Sequence, residues 1–112
     1  MKLSEIIKKL DLVVLNAANE DEDIKSAYAS DLLSDVMGNA EAEELWITMQ
    51  THKNVAAIAS LKDIPAVVLI NNGKPDVDML EHANLENVAV LVTNLACYEF
   101  CAKLYNLINC EL

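Results

Sequence analysis

"AVVLINNGKPD", Ala66–Asp76, joins an uninterrupted apolar run to a polar turn. A strand hidden on both faces reads as a continuous aliphatic run rather than an alternating one. The run is also too short for a typical helix. "VAVLV", Val88–Val92, repeats the pattern, and Val77, Leu80 and Ala83 recur between the two at helical spacing after Asp76, a suitable cap. In the turn, Gly73 is the residue expected to supply a permissive backbone. Two covered strands bridged by one helix predict a parallel β-α-β unit.

The same rhythm extends in both directions. Upstream, "LWITMQ", Leu45–Gln50, is β-branched and aromatic enough for a strand. Thr51 is placed to cap a helix over Lys53–Lys62 that carries Val55, Ile58, Ala59 and Leu61 inward. Downstream, Thr93 or Asn94 is placed to cap a last helix running to about Asn109. Its apolar positions are Leu95, Cys97, Phe100, Cys101, Leu104, Leu107 and Ile108. Before Leu45, Leu3, Ile6, Ile7 and Leu10 mark a first helix. Asp11–Asn16 reads as a strand, Ala17–Asp23 as an acidic loop, and Ile24–Ser30 as a second strand. Ser30 or Asp31 then opens a helix with Leu32, Leu33, Val36 and Met37 inward, stopped by Gly38-Asn39. The expectation is a single domain, 1–112, of class α/β. It is a three-layer α/β/α arrangement around a mainly parallel sheet of about five strands, with the pairing of the first two left open.

Composition narrows the function. A net charge of -10, with every one of the 8 basic residues a lysine, offers no guanidinium for guanine or phosphate and a field that repels both. Nucleic acid and anionic membranes are therefore not expected partners. No apolar run approaches the roughly 20 residues of a membrane span, and "MKLSEIIKKL" reads as an amphipathic helix rather than a signal peptide. Only 2 glycines, Gly38 and Gly73, are present, too few for either phosphate-cradling motif, so a nucleotide-dependent enzyme is not expected. Three cysteines, two of them in one helical segment, do not make a secreted disulfide framework and point to a cytoplasmic setting.

In an open α/β sheet, ligands sit beyond the carboxyl ends of the strands. Those ends carry Ser30, Asp31, Thr51, His52, Asn71, Asn72, Gly73 and Thr93. Helix N-termini there would favour a small polar or anionic ligand, although helix capping alone also accounts for these residue types. His52 has no carboxylate near it in sequence. Two other readings use subsets of side chains. One is a small enzyme built on Asp31, Thr51 and His52. The other is a metal or redox sensor built on Cys97, Cys101 and Cys110, although four zinc ligands are not apparent and buried small hydrophobes are the simpler role. No cofactor is expected. Tyr28, Trp46 and Met49 are the candidates for a homodimer surface.

The segments "MKLSEIIKKLDLVVL", "YASDLLSDVM", "LWITMQTHKNVAAIASLKDIPAVVLINNGKPD" and "VAVLVTNLACYEFCAKLY" in this order resemble the DRTGG-domain family. Among its members they look like the small stand-alone ones of anaerobic bacteria, related to the N-terminal domain of HPr kinase/phosphorylase. "SDLLSDVM" and "WITMQTHKN" carry most of the likeness. The resemblance implies an α/β/α fold and a regulatory or interaction module without chemistry of its own, like the relatives fused to phosphate acetyltransferases and CBS-domain pyrophosphatases. It also implies a homodimer or another protein partner. The naming motif departs from pattern. Asp21 stands in place, but Glu22 replaces the Arg and Lys25-Ser26-Ala27 replace Thr-Gly-Gly. An anion role for this loop in relatives is therefore expected to be lost or altered here. Phosphoryl transfer would need a P-loop domain that these residues do not contain.

Overall fold

The computed structural model describes residues 1–110. Ten elements follow one another. They are α1 (Leu3–Lys9), β1 (Val13–Asn16), β2 (Ser26–Ala29), α2 (Leu33–Asn39), β3 (Glu44–Thr48), α3 (Lys53–Leu61), β4 (Ala66–Leu69), α4 (Val77–Glu86), β5 (Ala89–Val92) and α5 (Cys97–Asn109). The five strands form one sheet in the order β1-β5-β4-β3-β2. β2, β3, β4 and β5 are mutually parallel, and β1 pairs with β5 antiparallel. The α/β class and the mainly parallel sheet are as the sequence predicts, and the antiparallel edge answers the open pairing.

Ala66–Leu69 lies in the middle of the sheet, which is why its run is unbroken. Alternate residues serve opposite layers. Val67 and Leu69 join Trp46, Val90 and Val92 against Val55, Ala59, Met79 and Ala83 on one face. Ala66 and Val68 join Leu45, Ile47, Ala89 and Leu91 against Leu3, Ile6, Phe100 and Leu104 on the other. Because β2 to β5 are laid down in one direction, α2, α3 and α4 contribute to the same layer, and α1 and α5 form the second. A sheet that reverses direction has a crevice at its switch point. The parallel strands here never reverse, so the fold provides no such crevice.

Asparagines fasten the N-terminal arm across the sheet. Asn16 donates to the Val88 carbonyl at 2.8 Å, and Asn19 donates to the carbonyls of Pro65 and Asn87 at 2.9 and 2.6 Å.

Several local expectations are corrected. The helices α2, α3, α4 and α5 have Leu32, His52, Asp76 and Ala96 at their N-cap positions, and none carries a side-chain cap bond. Ser30, Asp31, Thr51, Thr93 and Asn94 are thus not the caps. The side chains of Ser30, Asp31 and Thr93 fold the strand ends instead: Thr93 Oγ1, for one, accepts the Leu95 N–H at 3.2 Å, closing a local turn. Gly38 and Asn39 lie inside α2, which ends where Ala40 turns extended and buries itself in the α3–α4 layer. The left-handed backbone of the Asn71–Asp76 turn falls on Asn71 and Asn72, both at φ 56°, not on Gly73. Asparagine tolerates that region because its amide substitutes locally for backbone partners.

Leu32, Met37, Leu61 and Val77 were expected inward and are exposed. On α4, Ala83 is buried and Leu80 packs against the core as the spacing predicts, with Met79 buried beside them, while Val77 at the helix start is exposed. Cys97 is likewise exposed at the start of α5. Trp46 is fully buried, with its indole N–H donating to the Ser30 carbonyl at 2.9 Å, so it is core rather than interface.

Candidate functional site

The strand-end residues are held by separate sets of partners. Asp31 Oδ1 accepts the Thr48 hydroxyl and the Met49 N–H, both at 2.7 Å, while its carbonyl accepts the Gln50 amide at 3.0 Å. Its carboxylate ties the end of β2 to the end of β3. Ser30 Oγ accepts the Leu32 N–H at 3.2 Å. The Thr51 carbonyl accepts the Asp76 N–H, and His52 Nδ1 lies 2.9 Å from Asp76 Oδ2. That pair joins the starts of α3 and α4 and supplies the carboxylate partner that local sequence did not show. The Asn71 and Asn72 N–H groups donate to the carbonyls of Leu95 and Thr93 at 2.9 and 2.8 Å. Among the described residues no hydrogen bond joins Asp31, Thr51 and His52 to one another.

Of the predicted residues, Asn72 and Gly73 share a recess of about 200 Å³ with Val13, Leu15, Lys74, Pro75 and Val92 beside the β1 edge. Gly73 matters there for space. A Cβ on it would stand 3.3 Å from both the Ile70 carbonyl oxygen and Leu69 Cβ.

A larger recess, of about 290 Å³, opens on the opposite edge of the sheet. Its floor is Lys25, Ser26, Ala27 and Ala29 with Ile47 of β3, and its wall is Cys101, Leu104, Tyr105, Ile108 and Asn109 of α5. It exists because α5 runs close to the edge strand β2, and because alanines at 27 and 29 leave the floor low where a β-branched strand would fill it. The lining contains no carboxylate, in a chain with 18 acidic residues. Lys25 is the cation at the rim, 3.1 Å from Glu43, and Ser26 donates to Glu44 at 2.6 Å.

The altered motif divides between two places. Lys25, Ser26 and Ala27 floor this groove, while Glu22 faces Asn19, Ser60, Glu86 and Asn87 in another recess of about 250 Å³. Neither Ser26 nor Ala27 has positive φ, so this backbone does not require glycine at either position. The groove was missed because its wall lies on α5, far along the chain. A signal was present, however. α5 carries more apolar residues than one buried stripe can use, and only Phe100 and Leu104 are buried on it.

Two groups at this end of the sheet have displaced proton affinities. The hydroxyls of Ser30 and Tyr28 and the Asn39 amide hold the Asp35 carboxyl below the usual carboxylate range. Its hydrogen bond to Asp35, with the nearby carboxylate charge, moves the Tyr28 phenol up. On α5, burial and the neighbouring Cys97 push the Cys101 thiol up to about 11. No group of three or more His, Cys, Asp or Glu side chains is gathered as for a metal ion among the described residues. No described helix is long and apolar enough to cross a membrane.

No protein-family model matches the sequence, and no curated protein matches it. A solved structure with a similar fold is that of the CBS and DRTGG domains of the regulatory region of Clostridium perfringens pyrophosphatase, complexed with its activator diadenosine tetraphosphate. The TM-score is 0.65 at 11% identity, covering 92% of this chain and 45% of that one. The chain therefore spans less than half of the structure it matches. At this identity the likeness establishes the α/β fold, shared with part of a regulatory region.

Proposed function

We propose that the chain is a divergent DRTGG-like regulatory module, non-catalytic, that binds a small ligand in the groove between β2, β3 and α5 and acts as a homodimer. The observation that carries this reading is the groove itself, largely apolar through Ala27, Ala29, Ile47, Leu104 and Ile108, with Lys25, Ser26 and Asn109 as its polar groups. At about 290 Å³ it lies at the small end of ligand sites. It suits a compact, mainly apolar molecule with one hydrogen-bonding end directed to Lys25, Ser26 or Asn109. The fold of a regulatory region crystallised with an activator supports the same class of role, and the motif likeness supports kinship with the HPr kinase N-terminal domain. A polyphosphate ligand such as that activator is disfavoured here by the absence of arginine and the net charge of -10. Pairing is proposed on the groove side, where the lining itself carries no carboxylate and the nearest two, Glu43 and Glu44, are held by Lys25 and Ser26. Three free thiols support a reducing, cytoplasmic setting.

The test is a thermal-shift screen of uncharged and zwitterionic metabolites against nucleotides, run on the native chain and on Ala29→Trp, which fills the floor. A ligand at 100 times its dissociation constant stabilises by about 2.7 kcal/mol. Shifts that vanish in Ala29→Trp support the reading, and shifts that survive it place the ligand elsewhere. A monomer by light scattering at micromolar concentration removes the dimer.

A further inference from the structure

α5 opens with Cys97, and one turn later carries Cys101. Their sulfurs stand 3.8 Å apart, and both thiols are free. Cys110 follows the end of α5, on the order of 20 Å from Cys97 and about 14 Å from Cys101 by the helical rise, so two of the three thiols are assembled and the third is not. The ordinary role of cysteine as a small buried hydrophobe does not cover this pair. Phe100 and Leu104 are the buried positions of α5, Cys101 is half-buried at the core margin, and Cys97 is exposed.

The spacing has a chemical meaning. A tetrahedral d10 dication holding thiolates at about 2.3 Å requires neighbouring sulfurs about 3.8 Å apart. Side chains four residues apart share one face of a helix, so the two thiolates need little further ordering to chelate. A dication between the sulfurs displaces the thiol protons, so binding competes with protonation. The net charge of -10 draws divalent cations to the surface.

We propose that Cys97 and Cys101 form a two-thiolate chelate for a soft or borderline tetrahedral dication of the zinc and cadmium class. The chain supplies two of four positions, since among the described residues no cluster of three ligands exists. The remaining two are open to water or an exogenous donor, which makes the ion exchangeable rather than structural. Because Cys101 also lines the α5 groove, the bound ion stands at its edge. The proposal rests on the sulfur geometry alone and is independent of what the groove binds.

The experiment is an anaerobic cadmium titration of the full chain, followed by the ultraviolet thiolate-to-metal charge-transfer absorbance. Native protein, Cys97→Ser, Cys101→Ala and Cys110→Ser are compared, with far-ultraviolet circular dichroism confirming the fold of each. The expected result is one cadmium per chain, with affinity falling as pH is lowered. Loss of either Cys97 or Cys101 should weaken binding roughly 100-fold, the effect of removing one arm of a chelate, while Cys110→Ser binds as the native chain does. Cys97 is exposed, so Cys97→Ser decides the matter even if Cys101→Ala is unstable. Native affinity in Cys97→Ser, an equal loss in Cys110→Ser, or displacement of cadmium by millimolar magnesium would each overturn the assignment, the last by moving the ion to the carboxylates.

Discussion

Removing the carboxylate of Asp31 should destabilise the protein rather than merely change a surface. In Asp31→Ala two charge-assisted bonds vanish, one from the Thr48 hydroxyl and one from the Met49 N–H, each 2.7 Å long. Thr48 is 1% exposed, so water replaces its partner poorly, and an orphaned buried donor costs about 1–3 kcal/mol. The Met49 amide is reached by solvent and adds about 0.5 kcal/mol. The expected total is about 2–3 kcal/mol, and at roughly 4 °C per kcal/mol for a domain of this size the melting temperature falls by about 10 °C. Asp31→Asn keeps an acceptor at the same place and should lose about 1 kcal/mol or less. Urea unfolding followed by tryptophan fluorescence measures both, because Trp46 is buried beside the Ser30 carbonyl. An unchanged midpoint in Asp31→Ala, with m unaltered, would refute the reasoning and return Asp31 to the pool of free ligand-binding side chains.

Met79→Ala, at a fully buried position, should cost about 2–5 kcal/mol, whereas Val77→Ala, 72% exposed, should stay within about 0.5 kcal/mol. Paired denaturation curves separate the two. At the Asn71–Asp76 turn, Asn72→Ala should cost about 1–2 kcal/mol for the left-handed backbone, while Asn72→Gly should be nearly neutral by thermal melt. Asp35 titrates below its ordinary value of 3.8 in the folded chain. Its stabilisation is therefore fully present above that pH and lost as pH falls through the depressed folded value; acid unfolding should be less steep in Asp35→Asn. Restoring the family motif with Glu22→Arg, Ser26→Gly and Ala27→Gly should yield no new phosphate affinity by calorimetry, because position 22 faces a different recess from 26 and 27. The two glycines should cost roughly 1 kcal/mol each in a strand.

The parts of the fold that the sequence made legible are those set by burial. Val67 and Leu69 need one layer and Ala66 and Val68 the other, so an apolar run could only be a central strand. The edges were less legible. Val13, Val14 and Leu15 are exposed on β1, and nothing local states that their strand pairs with the most distant one. Cap assignments failed because a Ser, Thr or Asp after a strand can fold the strand end as readily as it can open a helix, and here Asp31 and Thr93 do the former. For the candidate site, local sequence marks Ser26 and Ala27 only as departures from a motif. The wall from Cys101 to Asn109 depends on where α5 crosses the sheet, a tertiary fact absent from local spacing. The His52–Asp76 contact spans two helix starts and was hidden for the same reason.

The strand order carries a consequence for how the chain assembles. Ser26 pairs with Glu44, Leu45 with Ala66 and Ala66 with Ala89, whereas Val13 must find Val92. The first three closures span roughly 20 residues each and the last on the order of 80, a difference of about 1.2 kcal/mol in closure entropy. The parallel strands can zip together neighbour by neighbour, and the N-terminal arm closes over them afterwards, latched by Asn16 and Asn19. Amide exchange should report that sequence in reverse, with β1 opening at lower free energy than β4.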